Sequence, residues 1–234
     1  MSDRGRPVRG TGEGPPSPKE TTAVLPNQVT RSLLGYGVLA GPFYVTVSLA
    51  QALTREGFDL TRHAWSLLSN GDLGWIQITN FVLTGLMVLA AATGLHRALP
   101  DTPWVARLVG VYGASLIAAG ALRADPGLGF PAGTPAGPGA VSWHGIGHLA
   151  AGSIGFLCVI AACVVVGRRF ARDGRRGLAR YSYTSGALFL AGFVGIASGN
   201  SAPALTLGFV AAVLVIWAWL ATVSIHLYRA TPPC

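Results

Sequence analysis

A chain of 234 residues with 51% hydrophobic and only 11% charged side chains is too apolar for an ordinary water-soluble domain. Its net charge of +8 and isoelectric point near 10.1 do not make it a nucleic-acid binder, because the basic residues form no single patch. Two of its three cysteines, Cys158 and Cys163, sit inside an apolar run, so the chain carries neither a disulfide framework nor a cysteine metal site.

Residues 1–30 are rich in Gly, Pro, Ser, Thr and charge and lack an apolar period, which predicts a disordered tail. The apolar run after them is too long for the core of a cleavable signal and predicts a retained anchor. Six runs approach the roughly 20 residues that cross about 30 Å of hydrocarbon. They are Leu33–Leu53, Trp75–Leu95, Trp104–Leu122, Gly145–Val166, Tyr181–Ser198 and Leu205–Leu227, the fifth being the shortest. Each is apolar on every face, which favours helices over barrel strands. The expectation is an all-α, polytopic six-helix transmembrane bundle spanning residues 31–229.

Charge gives this bundle a direction. Arg4, Arg6, Arg9, Lys19 and Arg31 precede the first run, Arg97 and Arg107 flank the second gap, Arg168, Arg169, Arg172, Arg175, Arg176 and Arg180 fill the fourth, and Arg229 follows the last. The first, third and fifth gaps hold only Arg55, Arg62 and Arg123. Positive-inside bias puts both termini in the cytoplasm. The Arg168–Arg180 cluster reads as a topology signal that also meets anionic membrane lipids, with no role for nucleic acid and no protein partner indicated. Arg in place of Lys almost throughout, amid abundant Ala and Gly, points to a GC-rich bacterial genome and hence to the bacterial plasma membrane.

Within the runs, Gly37 with Gly41 and Ala151 with Gly155 have the spacing that lets helices approach closely. The neutral polar residues Gln77, Asn80, Thr84 and Ser115 are suited to interhelical hydrogen bonds. No Asp, Glu or Lys lies inside a run, which disfavours a proton-coupled transporter or a voltage sensor. Trp75, Trp104 and Trp143 fall at run ends, as interfacial anchors do.

The outer gaps concentrate the remaining ionisable residues. In the first, Asp59, Arg62, His63 and Ser66 form a candidate catalytic set if the segment is a short interfacial helix: Arg62 a fork for an anionic headgroup, His63 an acid, base or ligand. The bland alternative is a re-entrant segment held by Asp59–Arg62 and Arg123–Asp125 ion pairs. The third gap is Gly- and Pro-rich from Pro126 to Gly139 and reads as a long irregular loop, a tether or a lid. At the start of the fourth run His144 and His148 are one helical turn apart, and with Asp125 they form a candidate metal site, zinc by ligand type. The alternative for them is hydrogen bonding at a wet interface.

Several motifs occur together and in order: Gly35 with Gly41-Pro42, Asp59-x-x-Arg62-His63-Ala64-x-Ser66-x-Leu68, Gly74-Trp75, Asn80-Phe81 and Gly85. Asp125-Pro126, Gly129-Phe130-Pro131, Trp143-His144-Gly145 and His148 follow. In these the chain resembles the bacterial domain-of-unknown-function 998 family over roughly residues 31–228. That resemblance implies a six-helix integral membrane protein and supplies no activity. A looser similarity is to alkaline ceramidases and adiponectin-receptor-like membrane hydrolases, which hold zinc through an H-x3-H pair, a further histidine and an aspartate. It would imply a zinc role for His144, His148 and Asp125, with His63 as the further histidine, although the Ser-x3-His motif and one helix are missing. Two functions remain open on sequence: a metal-dependent hydrolase of a lipid at the outer leaflet, or a non-enzymatic lipid sensor, partner subunit or small-solute permease.

Overall fold

The computed structural model describes residues 18–137, 139–199 and 202–232, with side chains from Asn27 onward. Residues 1–17, which include Arg4, Arg6 and Arg9, and Cys234 lie outside the described residues. Six long helices follow in order: α1 (Pro18–Thr54), α2 (Gly74–Ala98), α3 (Pro103–Ala121), α4 (Trp143–Arg172), α5 (Arg176–Ala197) and α6 (Pro203–Ala230). No strand occurs among the described residues. The fold is all-α, as expected, but α1 begins before the tail was expected to end. Residues 18–30 are helical: Pro18 suits a first helical position, and a helix already formed extends at the gain of one hydrogen bond per residue.

Local chemistry sets the other boundaries. α3 and α6 open on prolines, whose missing N–H costs nothing there. The Ser142 hydroxyl caps α4 by accepting the Gly145 N–H at 3.1 Å. α4 ends where Gly174 takes the left-handed conformation (φ 73°) and the Arg175 N–H returns to the Phe170 carbonyl at 2.8 Å, turning the chain directly into α5.

Five helices are long and apolar enough to cross a membrane: α2, α3, α4, α6 and the Asn27–Thr54 part of α1. α5 is the exception by composition, carrying Arg176, Arg180 and the polar run Tyr181–Ser185. It nonetheless packs along both α4 and α6. Ser182 and Ser185 are buried against those neighbours: the Ser182 hydroxyl donates to the Leu178 carbonyl (2.9 Å) and accepts the Trp219 indole N–H (3.1 Å).

Each helix packs on its neighbours in sequence, and α6 returns to α1, closing a ring. Glycines set the spacing. A Cβ on Gly41 would stand 2.8 Å from Trp217 Cβ on α6, one on Gly94 2.9 Å from the Leu34 nitrogen on α1, and one on Gly85 2.7 Å from the Gly113 carbonyl on α3. Between α1 and α2 the contact is polar. The Gln77 carbonyl oxygen accepts from Gln51 Nε2 (2.9 Å), and Asn80 Nδ2 donates to Ser48 Oγ (3.1 Å) and the Tyr44 carbonyl (3.1 Å). Thr84 Oγ1 donates to Asn80 Oδ1 at 3.3 Å. All these side chains are buried, so the amides that sequence suggested as interhelical partners are that.

The arginine-rich gaps meet at one end. Arg31 donates to the Thr231 carbonyl (3.0 Å) and lies over Tyr228, Arg97 donates to Thr30 Oγ1 (3.0 Å), and Arg169 reaches Asp173 at 2.9 Å and Asp101 at 3.8 Å. Exposed Trp104 marks this basic end, and exposed Trp75 and Trp143 mark the opposite one. Gly85→Ala is expected to destabilise the bundle by about 1–3 kcal/mol, because its methyl meets the Gly113 carbonyl and the Ile117 nitrogen, which cannot move aside, as well as Ile117 Cγ1. Gly35→Ala, with open space around it, is expected to be neutral or slightly stabilising; thermal unfolding in detergent compares the two.

Candidate functional site

The end opposite the arginines is closed by a cap. After α1 the chain turns, and the Asp59 carboxylate accepts from both the backbone N–H (2.8 Å) and the hydroxyl (2.7 Å) of Thr61. This local turn replaces the interfacial helix expected over Asp59–Ser66. A short 3-10 helix, Trp65–Ser69, follows and lies against α1 and α2. Arg55, just past α1, holds it down: its guanidinium donates to the Leu68 and Asn70 carbonyls, both at 2.5 Å, and covers the Phe130 ring at 4.9 Å.

His63 joins this segment to the Gly- and Pro-rich loop between α3 and α4. It is 2% exposed, with its ring between Phe58 and Phe130. Nδ1 accepts the Asp59 N–H at 2.9 Å, so Nε2 is the nitrogen that donates, to the Leu128 carbonyl at 3.0 Å. Leu128 has a positive φ of 59°, and glycines at 127 and 129 flank it. The loop is thus a folded cover rather than a loose tether, its own backbone bonds running from Gly127 to Phe130, Leu128 to Gly137 and Gly129 to Pro135.

At the start of α4 the expected metal ligands do something else. Asp125 accepts from the Ser142 N–H at 2.8 Å and from the Ser142 hydroxyl. His144 Nδ1 lies 2.9 Å from Ser142 Oγ, 3.2 Å from the Arg123 carbonyl and 3.6 Å from Asp125 Oδ1. His148 is buried and turns Nδ1 to the Ala119 and Leu122 carbonyls at the end of α3, each at 2.9 Å. Ala119 lies in the last turn of α3 and Leu122 caps it, where helical partners run out. Asp125, His144 and His148 therefore do not converge, and among the described residues no group of three His, Cys, Asp or Glu could hold a metal ion. The zinc expectation finds no support in this arrangement: each imidazole spends its Nδ1 on α3-side carbonyls or the α4 cap, which turns the two rings to separate neighbours.

The candidate catalytic set is likewise dispersed. Asp59 serves Thr61, His63 is buried under the loop, and Arg62 is exposed with no ion pair to Asp59 among the described residues. No Arg123–Asp125 pair forms either, because Ser142 takes the carboxylate. Ser66 alone of the set reaches the feature that dominates this end.

That feature is a cavity of about 360 Å³ within the bundle, under the 3-10 helix. Aromatic rings form much of its wall. Tyr44 stands 5.4 Å from Trp217, 5.9 Å from Phe81 and 6.0 Å from Trp65 between ring centres, and Tyr112 is 5.8 Å from Trp217. Across from them, Phe156 of α4 meets Phe193 of α5 and Phe209 of α6. His148, Gly152, Ser153 and Phe156 line it from one face of α4, as their helical spacing requires. Among the described residues no Asp, Glu, Lys or Arg lines it. Its polar atoms come from Tyr44, Tyr112, Ser66, Ser115, Ser153 and His148, and two indole N–H groups in its wall, Trp65 and Trp217, have no hydrogen-bond partner among the described residues. With Nδ1 donating to α3, His148 Nε2 is left as an acceptor with no hydrogen bond among the described residues.

Sequence reading missed Arg55, Tyr44, Tyr112 and Trp217. Arg55 is one of only three arginines on this side, a signal that was present; the aromatics are spread over α1, α3 and α6 and share no spacing.

The Asp125 carboxyl is held below its ordinary range, first by the Ser142 hydroxyl and then by the Ser142 N–H. A depressed carboxyl stabilises the folded state in full above the ordinary aspartate value of about 3.9 and ceases to do so as pH falls through the depressed value. Asp125→Asn puts an amide donor against the Ser142 donors and is expected to cost about 1–2 kcal/mol at neutral pH. That difference should vanish in acid, read by hydrogen exchange at the first turn of α4.

No curated protein and no solved structure matches this chain. A family described as "Protein of unknown function (DUF998)" matches residues 38–226, which take in the aromatic cavity, its cap and five of the six helices whole or nearly so. The chain belongs to the DUF998 family.

Proposed function

We propose that this protein binds a membrane-resident amphiphile in the cavity beneath its cap. The observation that carries the reading is the cavity itself: about 360 Å³, within the ~300–1,000 Å³ usual for small-molecule sites, aromatic in its walls and with a few polar groups. The cap residues act as structure here, since Asp59, His63, Asp125, His144 and the α3-facing side of His148 are all engaged with neighbouring segments.

Access from the bilayer follows from how α4 and α5 pack. Toward the basic end they are tight: a Cβ on Gly167 would stand 2.6 Å from Tyr183, and one on Gly186 2.9 Å from Cys163 Cβ. Toward the cap they separate. Gly152 has nothing within 4 Å of where a Cβ would be, and Leu149 and Ala197, both exposed, line the cavity there. A ligand residing in lipid reaches the cavity through this seam without crossing the cap.

The basic end faces the cytoplasm of a bacterial plasma membrane in this reading, by positive-inside bias, and both described chain ends lie there. Arg168, Arg172, Arg175, Arg176 and Arg180 are exposed at that end, where anionic lipid headgroups supply counter-charge. A membrane hydrolase finds no support in the site: its metal ligands do not converge and its candidate acid, base and nucleophile are dispersed.

The test is lipid carried through purification. The full chain in mild detergent should retain an amphiphile in near-stoichiometric amount by mass spectrometry, and Gly152→Phe, which fills open space, should lose it while unfolding at an unchanged temperature. Equal lipid content in both proteins overturns the reading.

A further inference from the structure

Resting on that binding reading, we infer that the ligand has an uncharged, hydroxyl-bearing head and that His148 Nε2 receives it. The ligand class is a long-chain alcohol or a hydroxylated neutral lipid, not a phospholipid or an ionised fatty acid.

The polar atoms of the cavity specify this head. His148 is 7% exposed and lines the cavity. Its Nδ1 proton is shared by the Ala119 and Leu122 carbonyls, which fixes the tautomer and makes Nε2 an acceptor. An acceptor on the cavity lining selects a donor, and among membrane amphiphiles a hydroxyl is the common neutral donor. The Ser66 and Ser153 hydroxyls line the same cavity and have no hydrogen bond among the described residues, so they complete the shell of the ligand oxygen as donors or acceptors.

Charge is excluded by the same walls. With no lysine or arginine on the lining, a phosphate or carboxylate would enter unpaired, and an unpaired charge in an apolar site costs several kcal/mol. Arg55 does not alter this, since its guanidinium is committed to the Leu68 and Asn70 carbonyls and does not line the cavity. Volume sets the rest. About 360 Å³ holds on the order of a dozen groups of roughly 30 Å³, so the cavity encloses the head and one medium-length chain, with any longer chain leaving by the α4–α5 seam.

Three probes sharing one brominated chain separate head from tail: 11-bromoundecanol, 1-bromoundecane and 11-bromoundecanoate at pH 8. Each is titrated by mole fraction into nanodiscs holding the full chain, and bromine quenching of tryptophan fluorescence reports occupancy, Trp65 and Trp217 being in the cavity wall. The alcohol should half-saturate at a mole fraction roughly three- to tenfold below that of the bromoalkane, the value of one neutral hydrogen bond. The carboxylate should bind more than a hundredfold more weakly than the alcohol. His148→Asn keeps an amide donor where Nδ1 stood and removes the Nε2 acceptor; the alcohol should fall to the bromoalkane level, with an unchanged thermal unfolding midpoint as the control for fold.

Alcohol and bromoalkane binding alike to the wild-type protein overturns the head-group assignment and leaves the cavity reading standing. A carboxylate as tight as the alcohol overturns the uncharged-head assignment. Quenching by no probe beyond that seen with Gly152→Phe overturns the cavity reading itself. Alcohol binding to His148→Asn at the wild-type level overturns the Nε2 assignment; should that variant not fold, His148→Gln is read in the same way while the wild-type series decides the head-group class.

Discussion

A helix that stops inside a packed bundle leaves its last carbonyls without partners, and burying them unpaired is expensive. α3 stops in this way, and the Nδ1 of His148 meets the carbonyls of both Ala119 and Leu122. Much follows from that one bond pair. It fixes how far α4 can slide along α3, orients the α4 face that carries Gly152, Ser153 and Phe156, and determines which nitrogen remains for the cavity. Gly155, whose Cβ would collide with Ser115, lets α4 come close enough for the bond pair to form.

The second constraint acts on the other side of the ring. Buried amides in a membrane helix must find partners, and Gln77, Asn80, Ser48 and Gln51 find one another across α1 and α2. This holds Tyr44 and Phe81 in place, and with them one wall of the cavity. The cap then closes the end over it. Arg55 and His63 do so by the same means, side-chain nitrogens on backbone carbonyls: Leu68 and Asn70 for one, Leu128 for the other. A bundle with rigid α1–α2 and α3–α4 contacts and a looser α4–α5 seam keeps its void at the seam.

Much of this was legible in the residues and some of it could not be. Apolar run length located the helices, and the neutral polar residues at 77, 80 and 84 announced an interhelical contact because nothing else can satisfy them in lipid. His63, His144 and His148 announced that they matter without saying how. Their partners are carbonyls of Leu128, Arg123, Ala119 and Leu122, and a backbone carbonyl is present at every position, so spacing carries no trace of it. The same holds for Asp59 and Asp125: opposite charges stood nearby in sequence, but a hydroxyl and a backbone N–H within reach outcompeted them. The cavity was invisible because its walls come from all six helices. α5 was the shortest apolar run, and its polar residues at 182 and 185 are buried against neighbouring helices.

The order of packing around the ring also bears on how the chain assembles. Every helix rests mainly on the one made just before it, so α1 with α2, and then α3 and α4, can pair as they leave the ribosome, a sequence of short-range contacts that forms fast. The α1–α6 seam is different, because its two halves are separated by nearly the whole chain. Until α6 is made, Gly37 and Gly41 present a bare strip of backbone to lipid, and Tyr44 lacks Trp217. The last helix to be synthesised is thus the one that completes the aromatic wall, so the nascent chain has no finished binding chamber until its final span is in place.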